Sequence, residues 1–424
     1  MNLDPTAAIT IDPLTLSRFF LAVLLLLLSA LVCGNLFQRL TIPKVVGEIA
    51  GGLFLGPTLL GRVLPGAYEE IFMRQGELIS AVYWLGLVLL MFCSGFEIET
   101  GLDRRDKRVI LGLVIGTTVV PALFGWISTY FFDLDRLMGP AGDTLALRLI
   151  ITVALAVTSI PVLSKIFMDL GILRTTFAKI TLATATIHDL VLWVFVSIAA
   201  GLVSSERAQS FADISMHVVI SVLFFFTALV VMPRCIRWID ARPGLRSLPK
   251  NNELAVIVLV LLVFTVLAGW LDVNLVFGAF LAGIVVNGVK HPSFEEARRH
   301  IKSFSTAFFV PVYFAVVGLK IDLFRDLDAG FVTLFTLYAM LVQTVAVLVT
   351  ARWLRYDWLS SANLAFALND RGGPCIVLAT LALDLGIISR EFFVTLVALA
   401  ILTSLTAGWW LRYVLRRGWP LLNG

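Results

Sequence analysis

Runs of about 20 apolar residues recur along the whole chain, with short polar connections between them. A helix of roughly that length crosses the hydrocarbon core of a bilayer, whereas the strands of a membrane barrel would show short alternating segments. The composition agrees, because 59% of the 424 residues are hydrophobic and only 15% are charged. Soluble domains are about 45–50% apolar and about 25% charged. The sequence therefore predicts an all-α polytopic membrane protein.

We predict about thirteen transmembrane helices and no soluble domain or long linker, so that residues 1–424 form a single transmembrane domain. The segment before the first helix carries Asp4 and Asp12 but no Lys or Arg, unlike the basic start of a signal peptide, so we expect the first helix to be permanent. The predicted spans are 17–37, 44–62, 77–96, 109–132, 146–168, 175–203, 214–233, 252–271, 274–289, 303–319, 330–351, 360–385 and 391–414.

The basic residues indicate the orientation. Most Lys and Arg lie in the connections that follow odd-numbered spans and in the C-terminal tail. The positive-inside rule then predicts the N-terminus outside and the C-terminus in the cytoplasm, in what we expect to be a bacterial inner membrane. The net charge of +4 is read as an insertion signal and not as evidence for a nucleic-acid partner.

The four cysteines and four histidines are scattered along the chain. Cys33, Cys93, Cys235 and Cys375 show no paired spacing, so we expect core residues and neither a disulfide framework nor a metal site. No nucleophile, metal-ligand spacing or cofactor motif is recognisable. The sequence therefore predicts a protein that is not an enzyme and has no cofactor.

Thirteen spans divide into two groups of six with one between them, as in transporters built from inverted repeats. The predicted first repeat is 17–203, the linker helix is 214–233 and the second repeat is 252–414. Matching interruptions support this division: 158–161 (TSIP) lies in the fifth span and 369–374 (NDRGGP) in the twelfth. Non-helical backbone at membrane depth is tolerated where it is buried in protein or lines a cavity. We predict two broken crossing helices around one central site; simple proline kinks are the alternative.

Asp189 lies in the middle of the sixth span, where an ionised carboxylate is expensive and usually functional. We expect it to bind a proton and a metal cation in turn; a structural ion pair with Lys165 or Arg371 is the alternative. His188 precedes it, and adjacent helical side chains point about 100° apart. It either senses protons and orients a neighbour, or makes a structural hydrogen bond as a neutral ring.

Five further polar residues are weaker candidates. Glu48 lies near a span end among glycines and is expected to be structural. Lys165 either snorkels inward or pairs with a carboxylate. Asp370 and Arg371 either neutralise their surroundings or gate the cavity. Gln343 is the only strongly polar side chain in the middle of its span, where an interhelical hydrogen bond is the simplest role.

Several motifs together resemble one family, the second group of monovalent cation:proton antiporters, which includes the Kef-like and NapA-like proteins. The likeness is collinear over almost the whole chain. The segments that carry it are TIPKVVGEIAGGLFLGPTLLG (41–61), LGLVLLMFCSGFEIE (85–99), TSIPVLSK to TIHDLVLW (158–193), FFVPVYFAVVGLKIDL (308–323) and LNDRGGPCIVLA (368–379).

The resemblance implies Na⁺ or K⁺ exchange for H⁺ in pH homeostasis, by a homodimer with elevator-type alternating access. It also implies that Asp189 is the essential cation- and proton-binding aspartate, with Thr158, Ser159 and Asn369 in the segments that cross beside it. The only metal expected is the transported cation, and the only other partner is the lipid bilayer.

This chain departs from the family pattern at two positions. His188 stands where the family usually has Asp, Asn or Gln, and Gln343 stands where many members have a base. We hypothesise that His188 supplies the proton or hydrogen bond that the lost base would supply; in the alternative, Asp189 works alone. Two other functions remain open: a solute or anion symporter of related fold, and a non-transporting sensor with a degenerate ion site.

Overall fold

A computed structural model describes residues 12–40, 42–96, 104–204, 253–271, 273–289 and 291–422, together with a few positions between 216 and 234. Every regular element in these ranges is helical, and the one isolated β-bridge joins Met138 to Ile388. Eight of the described helices are long and apolar enough to cross a membrane. The all-helical membrane architecture is therefore confirmed, while the predicted linker helix at 214–233 lies largely outside the described residues.

Fifteen main helices are described. They are α1 (Pro13–Arg39), α2 (Lys44–Leu55), α3 (Gly76–Gly95), α4 (Arg104–Ser128), α5 (Thr144–Ala156), α6 (Ile160–Asp169), α7 (Thr176–Ser204), α8 (Glu253–Trp270), α9 (Leu275–Asn287), α10 (Pro292–Phe304), α11 (Val310–Leu319), α12 (Ala329–Trp353), α13 (Trp358–Leu368), α14 (Gly372–Asp384) and α15 (Arg390–Arg416). Short α-helical segments span Leu60–Val63, Pro65–Tyr68, Leu134–Leu137 and Leu323–Asp326, and π-helical turns span Glu69–Met73 and Ser305–Phe309.

Two predicted spans differ from the observed helices. The second was expected over 44–62, but α2 ends at Leu55 because Gly56 is extended and the next residue is a proline without an N–H. The tenth was expected over 303–319, but its helical run begins at Pro292 and passes through the π-helical turn before α11. Because α10 is rich in charged residues, the apolar run that predicts this span begins only after it.

The described residues form two compact units. The first comprises those within Met1–Leu90 and Ser303–Arg325, and the second those within Met91–Lys302 and Asp326–Gly424. Glu48 belongs to the first unit, and every other candidate site residue belongs to the second.

Glycines allow very close helix packing in the first unit. A Cβ atom on Gly51 would lie 2.6 Å from the carbonyl oxygen of Ser29 on α1, and Gly47 faces α1 in the same way. On another side of α2, a Cβ atom on Gly52 would collide with the carbonyl oxygen of Ala315 on α11. The glycines in the segment GEIAGG thus set the contact distance between α2 and two neighbouring helices.

An apolar core in the second unit fixes the helices that carry the candidate site. Leu113 of α4, Phe167 of α6, Phe177 of α7, Val347 of α12 and Leu368 of α13 all belong to it, and each is at most 2% exposed. Side chains cap the helix starts here, since Asp143 accepts from the N–H of Ala146 at 2.8 Å and Asp357 from that of Ser360 at 3.2 Å. Cys93 and Cys375 are buried, as expected, whereas Cys33 is half-buried and Cys235 lies outside the described residues.

Candidate functional site

The first interruption separates α5 from α6. After Ala156 the backbone of Val157 is extended, and helical structure resumes at Ile160. Ser159 is the N-cap of α6, and its Oγ accepts from the N–H of Val162 at 3.4 Å. Thr158 and Ser159 are fully buried. One helix thus ends at Ala156 and the next begins at Ile160, with buried residues between them.

The second interruption separates α13 from α14 and contacts the first. It consists of Asn369, Asp370 and Arg371, which are at most 2% exposed. The hydroxyl of Thr158 donates to the carbonyl oxygen of Leu368 at 2.7 Å, and the N–H of Ser159 donates to that of Asp370 at 2.7 Å. The first interruption therefore supplies donors for carbonyls at the end of α13 that have no partner within the helix.

Gly372 permits this close crossing. Its φ is +36°, and a Cβ atom there would lie 2.5 Å from Cγ2 of Val162 and 2.6 Å from Oγ of Ser159. Both the backbone angle and the available space therefore favour glycine at the start of α14.

Arg371 holds the second interruption in place. All five of its guanidinium N–H groups are directed at oxygen atoms: the carbonyls of Ala154, Leu155, Ala339 and Asn369 at 2.9–3.1 Å, and the side-chain Oδ1 of Asn369 at 2.5 Å. Two of these carbonyls end α5, where the helix dipole is negative and a cation is favourable. These contacts direct the guanidinium at oxygens of α5, α12 and Asn369, and the alternative of an ion pair between Arg371 and Asp189 stays a prediction.

Asn369 and Asp370 face different groups. The side-chain amide of Asn369 donates to the carbonyl of Met340 at 3.0 Å and to Oγ1 of Thr344 at 2.9 Å, so it ties α12 to the interruption. Oδ1 of Asp370 accepts from the hydroxyl of Ser404 on α15, while Oδ2 has no hydrogen-bond partner among the described residues. Asp370 and Arg371 are adjacent in sequence, but the guanidinium binds carbonyl oxygens and not this carboxylate.

His188 and Asp189 lie in α7 and are each 2% exposed. Nδ1 of His188 lies 3.1 Å from Oγ1 of Thr158, and Nε2 lies 2.8 Å from Oγ1 of Thr117 on α4. The imidazole therefore joins α7 to the first interruption and to α4. A small open cleft lies between α4, α5 and α7. Its lining includes His188 but not Asp189, as expected for neighbouring residues on a helix.

Gln343 is fully buried on α12, and its Nε2 donates to the carbonyl oxygen of Leu368 at 3.3 Å. The same carbonyl accepts from Thr158, whose oxygen contacts His188. The two residues that depart from the family pattern are therefore connected through a single carbonyl and a single hydroxyl, although they are far apart in sequence.

Two of the predicted supporting residues lie elsewhere. Nζ of Lys165 is 2.7 Å from Oδ1 of Asp169, one turn along α6, and about half of each side chain is exposed. The lysine thus faces outward and pairs with that carboxylate, not with Asp189. Glu48, in the first unit, is 3% exposed, and its carboxylate lies 3.4 Å from Nζ of Lys44.

Sequence reasoning did not identify three hydroxyl groups that contact the site: Thr117, Thr344 and Ser404. Their only signal was that they are small polar residues within apolar spans. Serine and threonine in such spans commonly bond to their own helix, as Thr117 also does through the carbonyl of Leu113 at 2.6 Å. Nothing in the sequence distinguished them from the other hydroxyls.

A helical membrane chain that buries aspartates, a guanidinium and non-helical backbone together has the features of an ion-transporting membrane protein. Residues 24–417 match the family described as sodium/hydrogen exchanger, transmembrane. The chain belongs to this family of monovalent cation:proton antiporters, which confirms the resemblance seen in the motifs.

Named relatives and solved structures agree. The chain is 24% identical to the Na⁺/H⁺-K⁺ antiporter GerN of Bacillus cereus over 93% of this chain and 96% of that protein. It is 26% identical to the K⁺/H⁺ antiporter 1 of Saccharomyces cerevisiae over 93% of this chain but only 46% of that protein. The sodium proton antiporter MjNhaP1 of Methanocaldococcus jannaschii has a similar fold, with a TM-score of 0.67 at 15% identity over 94% of this chain and 97% of that one.

Proposed function

We propose that this protein exchanges Na⁺ or K⁺ for H⁺, and that cation and proton compete for Asp189. The observation that carries the proposal is a carboxylate 2% exposed in a membrane-crossing helix, next to a histidine that contacts the first interruption, in a chain of the exchanger family. Relatives named for Na⁺ and for K⁺ support both cations equally.

The buried charges support exchange of one cation for one proton. Arg371 is held by carbonyl oxygens and stays fixed, so it does not compete for the aspartate. Asp189 then has a net charge of zero with either a proton or a monovalent cation bound. A neutral site crosses the membrane at a much lower free-energy cost than an empty carboxylate. This difference favours movement of the loaded site alone, which couples the two ions.

We assign alternating access to an elevator-type movement within a homodimer of inverted six-helix repeats (17–203 and 252–414). Helix ends at Ala156 and Leu368, in the fifth and twelfth predicted spans, support the repeats and the broken crossing helices. Almost all candidate residues lie in one compact unit, which we propose as the transporting body. The orientation is N-terminus outside and C-terminus cytoplasmic, in a bacterial inner membrane.

His188 compensates for the missing base in this proposal. It orients the first interruption through Thr158, whose hydroxyl shares the Leu368 carbonyl with Gln343. His188→Gln should therefore shift the pH profile of exchange, whereas His300→Gln, at an exposed position, should leave it unchanged. An unaltered profile in His188→Gln would show that Asp189 works without the histidine.

Exchange in liposomes tests the proposed function. The purified protein is reconstituted with a pH-sensitive dye inside, and Na⁺, K⁺, Li⁺ or Rb⁺ is added outside in turn. We expect cation-driven proton movement in the wild type, none in Asp189→Asn, and normal movement in Asp169→Asn, which removes a half-exposed carboxylate. Activity that survives in Asp189→Asn would refute the assigned role. A folded wild type that responds to no cation would favour a sensor without transport.

A further inference from the structure

The side-chain oxygen of Gln343, Oε1, takes no part in the contacts described above. The side chain is fully buried, and its Oε1 has no hydrogen-bond partner among the residues that the structure describes. The orientation of the amide follows from its contact, because the Leu368 carbonyl only accepts and must therefore face the NH₂ group. Oε1 consequently points away from that carbonyl. A buried acceptor without a partner is energetically unfavourable.

Hydrogen bonds from the second interruption fix the part of α12 on which Gln343 lies. The neighbouring turn of α12 is fixed to the second interruption, since Asn369 donates to the carbonyl of Met340 and to the hydroxyl of Thr344. Arg371 binds the carbonyl of Ala339 one turn earlier. The part of α12 that carries the glutamine is thus bound to two residues of the second interruption.

A neutral amide oxygen suits a dehydrated monovalent cation. Carbonyl oxygens replace the hydration shell of such ions in membrane proteins without adding a formal charge. We propose that Oε1 of Gln343 is a direct ligand of the transported cation and helps to determine which cation is carried. This inference rests on the proposed exchange function and adds a second residue to the cation site at Asp189.

Two substitutions separate ligation from a purely structural role. Gln343→Met keeps the length of the side chain but removes the oxygen and the amide donor. Gln343→Glu keeps an oxygen at the same distance and removes the NH₂ group that binds Leu368. Gln75→Met is the matched control, because Gln75 is also a buried glutamine with an unpartnered Oε1, but it belongs to the first unit.

The measurement is the half-saturating concentration of Li⁺, Na⁺, K⁺ and Rb⁺ in proteoliposomes at one alkaline pH, with monodispersity and melting temperature as checks on folding. We expect Gln343→Met to raise this concentration at least about tenfold for the preferred cation and to change the order of preference. Gln343→Glu, which keeps an oxygen ligand, should raise it less than Gln343→Met does, and Gln75→Met should match the wild type.

If Gln343→Met and Gln343→Glu raise the half-saturating cation concentration equally, the inference is overturned. The hydrogen bond from Nε2 to the Leu368 carbonyl would then explain the effect of both substitutions. Unchanged cation concentrations in a folded, active Gln343→Met variant would overturn it too. Both results leave the exchange function intact if Asp189→Asn is inactive. An inactive wild type would instead contradict the proposed function itself.

Discussion

The two helix interruptions differ in how their backbone is stabilised. At the first, Thr158 and Ser159 supply neutral donors, and Ser159 also caps its own helix. At the second, a buried guanidinium binds four carbonyl oxygens, two of which lie in the last turn of α5, just before the first interruption. Each interruption thus donates hydrogen bonds to carbonyls in or next to the other. The donors of the first interruption are a hydroxyl and a backbone N–H, whereas those of the second belong to a positively charged side chain.

This asymmetry suggests a division of work. The first interruption contacts the helix of Asp189 through His188 and carries no charge that would repel a cation. The second carries the fixed charge, directed at the negative end of a helix. We infer that Arg371 maintains the geometry of the crossing, and that the neutral groups of the first interruption lie nearer to the ion chemistry.

Loss of the guanidinium should have the largest effect. Arg371→Met leaves buried carbonyls without donors and should destabilise the protein by on the order of 4 kcal/mol. Thermal unfolding in detergent measures this effect. Arg371→Lys keeps the charge but has three donors that cannot span the same acceptors, so it should rescue little. Full rescue by lysine would mean that charge, and not the fork of hydrogen bonds, stabilises the second interruption.

The contact between the interruptions should be next in sensitivity. In Gly372→Ala the methyl group would meet Ser159 and Val162 at a backbone angle that favours glycine, and we expect a loss of about 1–3 kcal/mol. Gly373 is the matched control, since a Cβ atom there meets nothing within 4 Å. Similar melting temperatures for Gly372→Ala and Gly373→Ala would contradict the close crossing.

The neutral donor should contribute less than the guanidinium. Thr158→Val removes the hydroxyl between His188 and the Leu368 carbonyl and should cost about 1–2 kcal/mol. It should also change the pH profile of exchange. Thr158→Ser should restore both properties. Thr186→Val, which removes a hydroxyl bonded within α7 at 2.8 Å, should be nearly silent. A silent Thr158→Val variant would show that the asymmetry between the interruptions is greater than we infer.

An exposed arginine cluster in the same unit should have the smallest effect. Arg136 binds Asp328 at 2.6 Å and Glu391 at 2.7 Å. The pKa of Asp328 is lowered, first by the N–H of Phe331 and then by Arg136. Because its pKa is lowered in the folded state, the ionised Asp328 stabilises the protein at pH values above the pKa of an ordinary aspartate. This stability is lost as the pH falls through the lowered pKa of the folded state.

Asp328→Asn keeps a good N-cap and should flatten the fall in melting temperature below about pH 4. A fall as steep as in the wild type would show that other carboxylates cause it. If Asp328→Asn lowered the melting temperature at neutral pH as much as Arg371→Met does, burial of the guanidinium would not explain the large contribution of the second interruption to stability.

Much of the helical framework was predictable, because long apolar runs specify membrane helices and Pro and Gly mark their interruptions. The burial of Asp189 followed from its place in a long apolar span. Two helix ends were not predicted from the apolar runs. α2 ends early because of a local Gly–Pro sequence, and the helical run of the tenth span begins early because charged residues of α10 extend it.

The partners within the site were much less predictable. Arg371 binds backbone carbonyls, and such contacts have no sequence signature, so its charge alone suggested an acidic partner. The outward direction of Lys165 was not predictable either. The break before α6 interrupts the helical periodicity, so the buried face of α5 does not indicate which face of α6 is exposed. The link between Gln343 and His188 runs through a carbonyl of a third segment, and only the folded chain brings these groups together.

Competition between cation and proton at Asp189 is the central claim, and the pH dependence of cation affinity tests it most directly. In proteoliposomes, the half-saturating cation concentration should rise about tenfold for each pH unit on the acid side, with a constant maximal rate, because cation and proton exclude each other at one carboxylate. A half-saturating concentration that is independent of pH, with only the maximal rate changing, would contradict the claim.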